Sequence, residues 1–235
     1  MASSSRSKEV RPVARYYLVG LALFMIGVVI AGFWPSYFGP GLRGNVPEDV
    51  SNAASFPWLV HLHATVFLGW MGMLLAQTSL VARGKTHAHM SVGRYGIGLG
   101  TVVLLVGLVL TFLTYQTIVS QGNTWVGAVT VAWQPLVDMI EFGVLLTIGY
   151  LYRTRPEVHK RMMLFATVAL LHAATGRRMN YLLGPWSLEI MFTIEVGLIY
   201  GYDLVERGRI HPASLVGTLI VLPDVIFHYL PFLAR

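Results

Sequence analysis

Long apolar runs separated by short polar stretches divide most of this chain. A membrane-spanning helix needs roughly 20 mainly apolar residues, and seven segments have that length and character. They cover about residues 16–34, 57–82, 94–120, 127–152, 160–177, 186–204 and 212–231. The pattern therefore predicts an all-α integral membrane bundle of seven transmembrane helices. These form a single domain over 16–235, after a basic cytoplasmic segment at 1–15.

Basic residues are distributed unevenly between the two ends of these segments. If the N-terminus is inside, 13 of the 17 Lys and Arg residues fall in inner segments. The other four are Arg43, Arg177, Arg178 and Arg235. Positive charge is retained on the cytoplasmic side of membrane proteins, so we expect the N-terminus inside and the C-terminus outside. The longest connection, 35–56, then lies on the outer side.

Composition supports a membrane protein and excludes some chemistry. Hydrophobic residues make up 55% of the chain and charged residues only 12%, against about 25% charged in soluble domains. The absence of cysteine excludes disulfides, thiolate metal sites and catalytic thiols. The net charge of +6 is concentrated in predicted loops, so it does not indicate nucleic acid. The predicted partner is the lipid bilayer, and the predicted location is a bacterial cytoplasmic membrane.

Ionisable side chains are unusually frequent inside the predicted spans. Such residues usually face the bundle interior or a cavity. With a rise of about 1.5 Å per residue, they all fall in the outer half of the membrane or near its midplane. In chain order they are His61, His63, Asp138, Glu141, His172, Glu189, Glu195, Asp224 and His228, with Arg177 and Arg178 at the end of the fifth helix. The sequence therefore predicts a polar pocket in the outer half of the bundle.

Helical geometry restricts which of these side chains can converge. Gln134, Asp138 and Glu141 are spaced i, i+4 and i+7, so they share one face of the fourth helix. His61 and His63 are two residues apart, about 200° around their helix. Only one of this pair is expected to face the pocket, and His63 is slightly favoured.

Buried imidazoles and carboxylates are the ligands that a transition metal requires. Without cysteine, a nitrogen and oxygen ligand set suits Fe, Zn, Cu or Mn. The predicted metal ligands are drawn from His61, His63, Asp138, Glu141, His172, Glu195, Asp224 and His228. Asp138, Glu141 or Glu195 would complete the shell or act as the catalytic base. Arg177 and Arg178 would hold an anionic group of a small or lipid-like substrate during redox or hydrolytic chemistry.

Three alternatives remain open at this stage. Haem b would need an axial histidine from each of two facing helices, and His63 with His172 is the candidate pair. A proton or ion pathway would use the same acidic residues, although no series of polar residues continues it through the inner half of the spans. The chain can also be a structural subunit of a larger membrane complex, with buried pairs that fix helix register. The inner histidines are interpreted as solvated or in contact with lipid headgroups; they are His87, His89, His159 and His211.

Two stretches resemble a broad family of uncharacterised bacterial multi-pass membrane proteins with a domain of unknown function. The first is "HLHATVFLGWMGMLLAQTSLVARGKTHAHMSVGR", with a turn at His89, Gly93 and Arg94. The second is "RPEVHKRMMLFATVALLHAATGRR", in which His159 lies near the start of a helix. The resemblance covers about residues 61–178 and implies a common multi-span fold, with no activity attached. The family pattern has arginine after the loop histidine, where this chain has Met90.

Overall fold

The computed structural model describes residues 12–46, 56–122, 124–175 and 184–233. These residues form seven long helices and no β-strand. The helices are α1 Pro12–Phe33, α2 Pro57–Ala82, α3 Thr86–Ser120, α4 Trp125–Leu151, α5 Pro156–Ala174, α6 Ser187–Arg207 and α7 Pro212–Leu233. A π-helical turn at Trp34–Phe38 and one α-helical turn at Gly39–Leu42 follow α1. The prediction of an all-α helical bundle is confirmed.

Four of the helical segments are long and apolar enough to cross a membrane. They are Tyr16–Leu42, Pro57–Ala82, Thr86–Ser120 and Ala132–Leu151. The two following helices, α5 and α6, carry several charged side chains each, which lowers their hydropathy below that of a typical span. The described part of the chain is thus a membrane-like helical bundle in which some helices are more polar than others.

The connection between α2 and α3 is shorter than the sequence suggests. Only Arg83–Lys85 interrupts the two helices, and Gly84 has φ of +71° there, a conformation that glycine adopts without steric cost. As a result α3 begins at Thr86, eight residues before its predicted span. His87 and His89 lie in the first turns of a helix rather than in a loop.

Helix α5 occupies the centre of the bundle. It packs against α1, α4, α6 and α7, and the indole of Trp70 on α2 donates to the Thr167 hydroxyl at 3.2 Å. Gly217 on α7 approaches the Phe165 ring so closely that a side chain in its place would force one of the two to shift. Because α5 is enclosed in this way, polar side chains along it must find partners inside the protein.

Successive helices run in opposite directions. Tyr17 in the first half of α1 donates to the carbonyl of Leu198 in the second half of α6, at 2.8 Å. Tyr37, just after α1, meets His61 near the start of α2. We call the end that holds the starts of α1, α3, α5 and α7 the inner end and the opposite end the outer end, following the predicted orientation.

Candidate metal centre

Three side chains from α4 and α5 converge in the bundle interior. Asp138 and Glu141 on α4 and His172 on α5 are 4%, 4% and 2% exposed. One potential ligand atom from each lies within 4.8 Å of the others. His172 Nδ1 is 2.9 Å from Asp138 Oδ1. We refer to these three residues as the carboxylate–histidine cluster.

Local sequence explains how α4 and α5 present these groups. Asp138 and Glu141 are three residues apart, so they lie on one face of α4. Pro135, inside the same helix, has no backbone N–H and leaves the carbonyl one turn earlier without its helical partner, a feature that kinks helices. His172 lies in the last turn of α5, where the Thr175 hydroxyl donates to the His172 carbonyl at 2.9 Å. The cluster therefore joins a proline-containing helix to the end of the central one.

The spacing of the cluster is close to that of a metal shell. Metal bonds to imidazole nitrogen and carboxylate oxygen are about 2.0–2.2 Å long. Two ligands of one ion are therefore at most about 4.4 Å apart. Since the three ligand atoms lie within 4.8 Å of one another, small side-chain shifts bring them to bonding distance.

Glu195 on α6 lies next to this cluster. Its side chain is fully buried, and neither carboxylate oxygen has a hydrogen-bond partner within the described part of the chain. Phe192, one turn earlier on α6, places its ring centroid 6.4 Å from that of His172.

A second buried cluster fixes the relative positions of α5 and α6 at the inner end. The fully buried Arg161 donates from Nε to Asp203 Oδ1 at 2.8 Å, and its Nη2 contacts the same oxygen. The backbone N–H of His211 and the Ser214 hydroxyl donate to Asp203 Oδ2 at 2.8 and 2.7 Å. Every polar atom of the Asp203 carboxylate is thereby satisfied, although the residue is fully buried.

Further ion pairs extend this cluster toward the surface. Lys160 Nζ lies 2.9 Å from Glu157 Oε1 and 2.8 Å from Glu206 Oε1. Arg207 Nη1 lies 2.6 Å from Glu157 Oε2. We call the whole set the Arg161 network: Glu157, Lys160, Arg161, Tyr202, Asp203, Glu206, Arg207, His211 and Ser214. Its three acidic and three basic side chains have no net charge, as expected of a network that stabilises helix packing.

Two groups of the Arg161 network that lie outside the predicted spans have displaced pKa values. Burial alone would raise the pKa of Glu157, but hydrogen bonding and charge from Lys160, followed by Arg207 and Arg161, lower it to about 2. Burial lowers the pKa of His211, and the positive charges of Arg161 and Arg207 lower it further. Glu157 is thus ionised and His211 neutral near pH 7.

The Arg161 network and the carboxylate–histidine cluster are in matching register. His172 follows Arg161 by eleven residues, and Phe192 precedes Asp203 by eleven. At about 1.5 Å per residue, both intervals are roughly 16 Å. The Arg161–Asp203 pair therefore places the His172 ring level with Phe192, and Glu195 one turn farther toward the inner end.

The two histidines of α2 lie in different surroundings. His61 is exposed, and its Nδ1 is 2.8 Å from the Tyr37 hydroxyl. His63 is half-buried and stacks on Phe67, with ring centroids 6.2 Å apart. Neither belongs to the carboxylate–histidine cluster.

Four predicted site residues cannot be placed from their side chains. Asp224 and His228 lie within α7, but their side chains are outside the described residues. Arg177 and Arg178 lie outside the described residues altogether. Their assignment to the site stays a prediction from sequence.

Sequence reasoning missed the Arg161 network and misplaced two inner histidines. The Glu157–Arg161 spacing of i, i+4 is a signal for an intrahelical pair, whereas Asp203 is 42 residues from Arg161 and is brought to it only by folding. His89 and His159 are half-buried rather than solvated, with ring centroids 6.2 Å apart. His159 Nδ1 also lies 2.8 Å from the Gly149 carbonyl oxygen.

Comparison with known proteins returns no relative. No family model, no curated protein and no solved structure matches the chain. The resemblance over residues 61–178 therefore stays a prediction, and function must be inferred from the site itself.

Proposed function

We propose that this chain is a seven-span protein of a bacterial cytoplasmic membrane that holds a transition metal at Asp138, Glu141 and His172. The observation that carries the proposal is the convergence of three potential ligand atoms within 4.8 Å in the bundle interior. With the N-terminus inside, the metal lies in the outer half of the membrane, near its midplane.

Charge supports a cation at this position. Two carboxylates and an imidazole are nearly inaccessible to water, and a buried ion costs several kcal/mol unless it is paired. A divalent ion offsets both carboxylate charges at once. The ligand set of one nitrogen and two oxygens suits Fe, Mn, Zn or Cu.

The metal would serve redox or hydrolytic chemistry on a small or lipid-like substrate. Its identity decides between the two classes, because zinc has no redox chemistry and acts by lowering the pKa of a bound water. Three protein ligands leave positions for water or substrate, as catalytic metal sites require.

Elemental analysis of the purified, detergent-solubilised protein tests the proposal. We expect about one transition-metal ion per chain after removal of free metal, and loss of that ion in Glu141→Gln and His172→Gln. His61→Gln is the matched control, because His61 is exposed and lies outside the cluster. The proposal fails if the wild-type protein holds no stoichiometric metal, or if Glu141→Gln retains as much as the wild type.

An absorption spectrum of the same sample decides the haem alternative. A haem bound by His63 and His172 would give an intense Soret band that disappears in either alanine variant. We expect a preparation without that band.

A further inference from the structure

Glu195 and Asp203 form an informative contrast on one helix. Both are fully buried carboxylates on α6, eight residues apart. Asp203 is saturated by Arg161, by the His211 backbone N–H and by the Ser214 hydroxyl. Glu195 has no hydrogen-bond partner for either oxygen in the described part of the chain.

A buried carboxylate without a partner is rare in folded proteins. Buried polar groups are nearly always satisfied, and each exception requires an explanation such as an ion or a catalytic role. Burial also penalises the charged form strongly unless a proton or a cation compensates it. The position of Glu195 indicates which compensation is available, because it lies one turn after Phe192, whose ring centroid is 6.4 Å from that of His172 in the proposed metal site.

We infer that Glu195 is the fourth protein ligand of the metal centre proposed above, on which this inference rests. The site then draws Asp138 and Glu141 from α4, His172 from α5 and Glu195 from α6. Three carboxylates and one imidazole form an oxygen-rich shell. Such a shell selects manganese or iron in preference to copper(I), which favours softer sulfur ligands.

Side-chain geometry makes this assignment feasible. Glu195 is not within the 4.8 Å group, so its carboxylate must approach the ion when the metal binds. Phe192, three residues earlier on the same helix face, already contacts the His172 ring. The Arg161–Asp203 pair holds α5 and α6 in register. We therefore attribute the movement of the Glu195 carboxylate toward the ion to rotation about its own side-chain bonds.

The test is a thermal unfolding measurement with Glu195→Gln in detergent, with a chelator or with added Mn²⁺. In chelator we expect the variant to unfold at the wild-type temperature or above it, because a neutral amide replaces a buried carboxyl group that has no hydrogen-bond partner among the described residues. With Mn²⁺ we expect the metal-induced rise in Tm to be largely lost, and the Kd from Mn²⁺ electron paramagnetic resonance to rise by about tenfold or more. This reversal of sign distinguishes a ligand from a structural residue.

Glu157→Gln is the matched control, because it removes a carboxylate from the Arg161 network at the other end of the bundle. It should lower Tm in chelator and keep the full Mn²⁺ shift. The inference is overturned if Glu195→Gln lowers Tm in chelator or binds Mn²⁺ as the wild type does. If Glu195→Gln keeps the shift while Glu141→Gln loses it, the three-residue centre stands and only the fourth ligand is rejected. No shift in the wild type rejects both.

Discussion

Replacing Arg161 with methionine removes the guanidinium that neutralises Asp203 in the bundle interior. Both side chains are fully buried, and breaking such a pair costs about 3–5 kcal/mol because the remaining charge is uncompensated. Asp203 keeps the bonds from the His211 N–H and the Ser214 hydroxyl. We therefore expect a loss of about 3 kcal/mol, the lower end of that range. For a chain of this size, that loss lowers Tm by roughly 6–12 °C.

Thermal unfolding in detergent of the single and double variants measures this loss. Replacing both partners removes the orphaned charge, so Arg161→Met with Asp203→Asn should lose less than the sum of the single changes. We expect a coupling energy of about 2 kcal/mol. Arg153→Met is the control, since Arg153 is exposed over the Tyr150 ring and should change stability by less than about 0.5 kcal/mol. A loss below about 1 kcal/mol in Arg161→Met, or strict additivity in the double variant, would refute the reasoning.

Two further predictions concern acid and packing. The pKa of Glu157 is about 2 against an ordinary 4.5, so its contribution to stability is present above about pH 4.5 and is lost as the pH falls toward 2. Because the carboxylate is 37% exposed, we expect acid to remove only about 1 kcal/mol of stability through this group. The Tm of Glu157→Gln should therefore fall less on acidification than that of the wild type. Equal drops in Tm would contradict this prediction. Gly217→Ala should cost about 1–3 kcal/mol by thermal unfolding, because the new methyl group meets the buried Phe165 ring. Gly20→Ala, which has open space around it, should be neutral or stabilising, and equal losses in both would count against the packing argument.

The helices were predictable because long apolar runs allow few alternatives. The ends of the helices were less predictable. Helix α3 begins at Thr86, before its predicted start, because the polar residues 86–93 are also helical. Inner-end packing could not be predicted, since hydropathy does not show whether a charged residue near a span end faces water or the protein. Arg161 is such a residue, and its partner Asp203 becomes a neighbour only through tertiary contact.

The sequence predicts which residues are candidate ligands, but not which of them lie together in the folded bundle. Helical rise gives the depth of each polar residue, and depth alone grouped all eight proposed ligands. Which of them meet depends on rotation about each helix axis and on which helix is central, and packing sets both. Asp138, Glu141 and His172 converge because α4 packs directly on α5, whereas His61 turns to Tyr37.

X-ray absorption at the edge of the bound metal tests the central claim most directly. For the wild-type protein we predict imidazole nitrogen and carboxylate oxygen ligands at about 2.0–2.2 Å, and for His172→Gln no bound-metal signal, because that variant is expected to lose the ion. A metal shell without imidazole, or a spectrum that His172→Gln leaves unchanged, would contradict the assignment of Asp138, Glu141 and His172 as a metal centre.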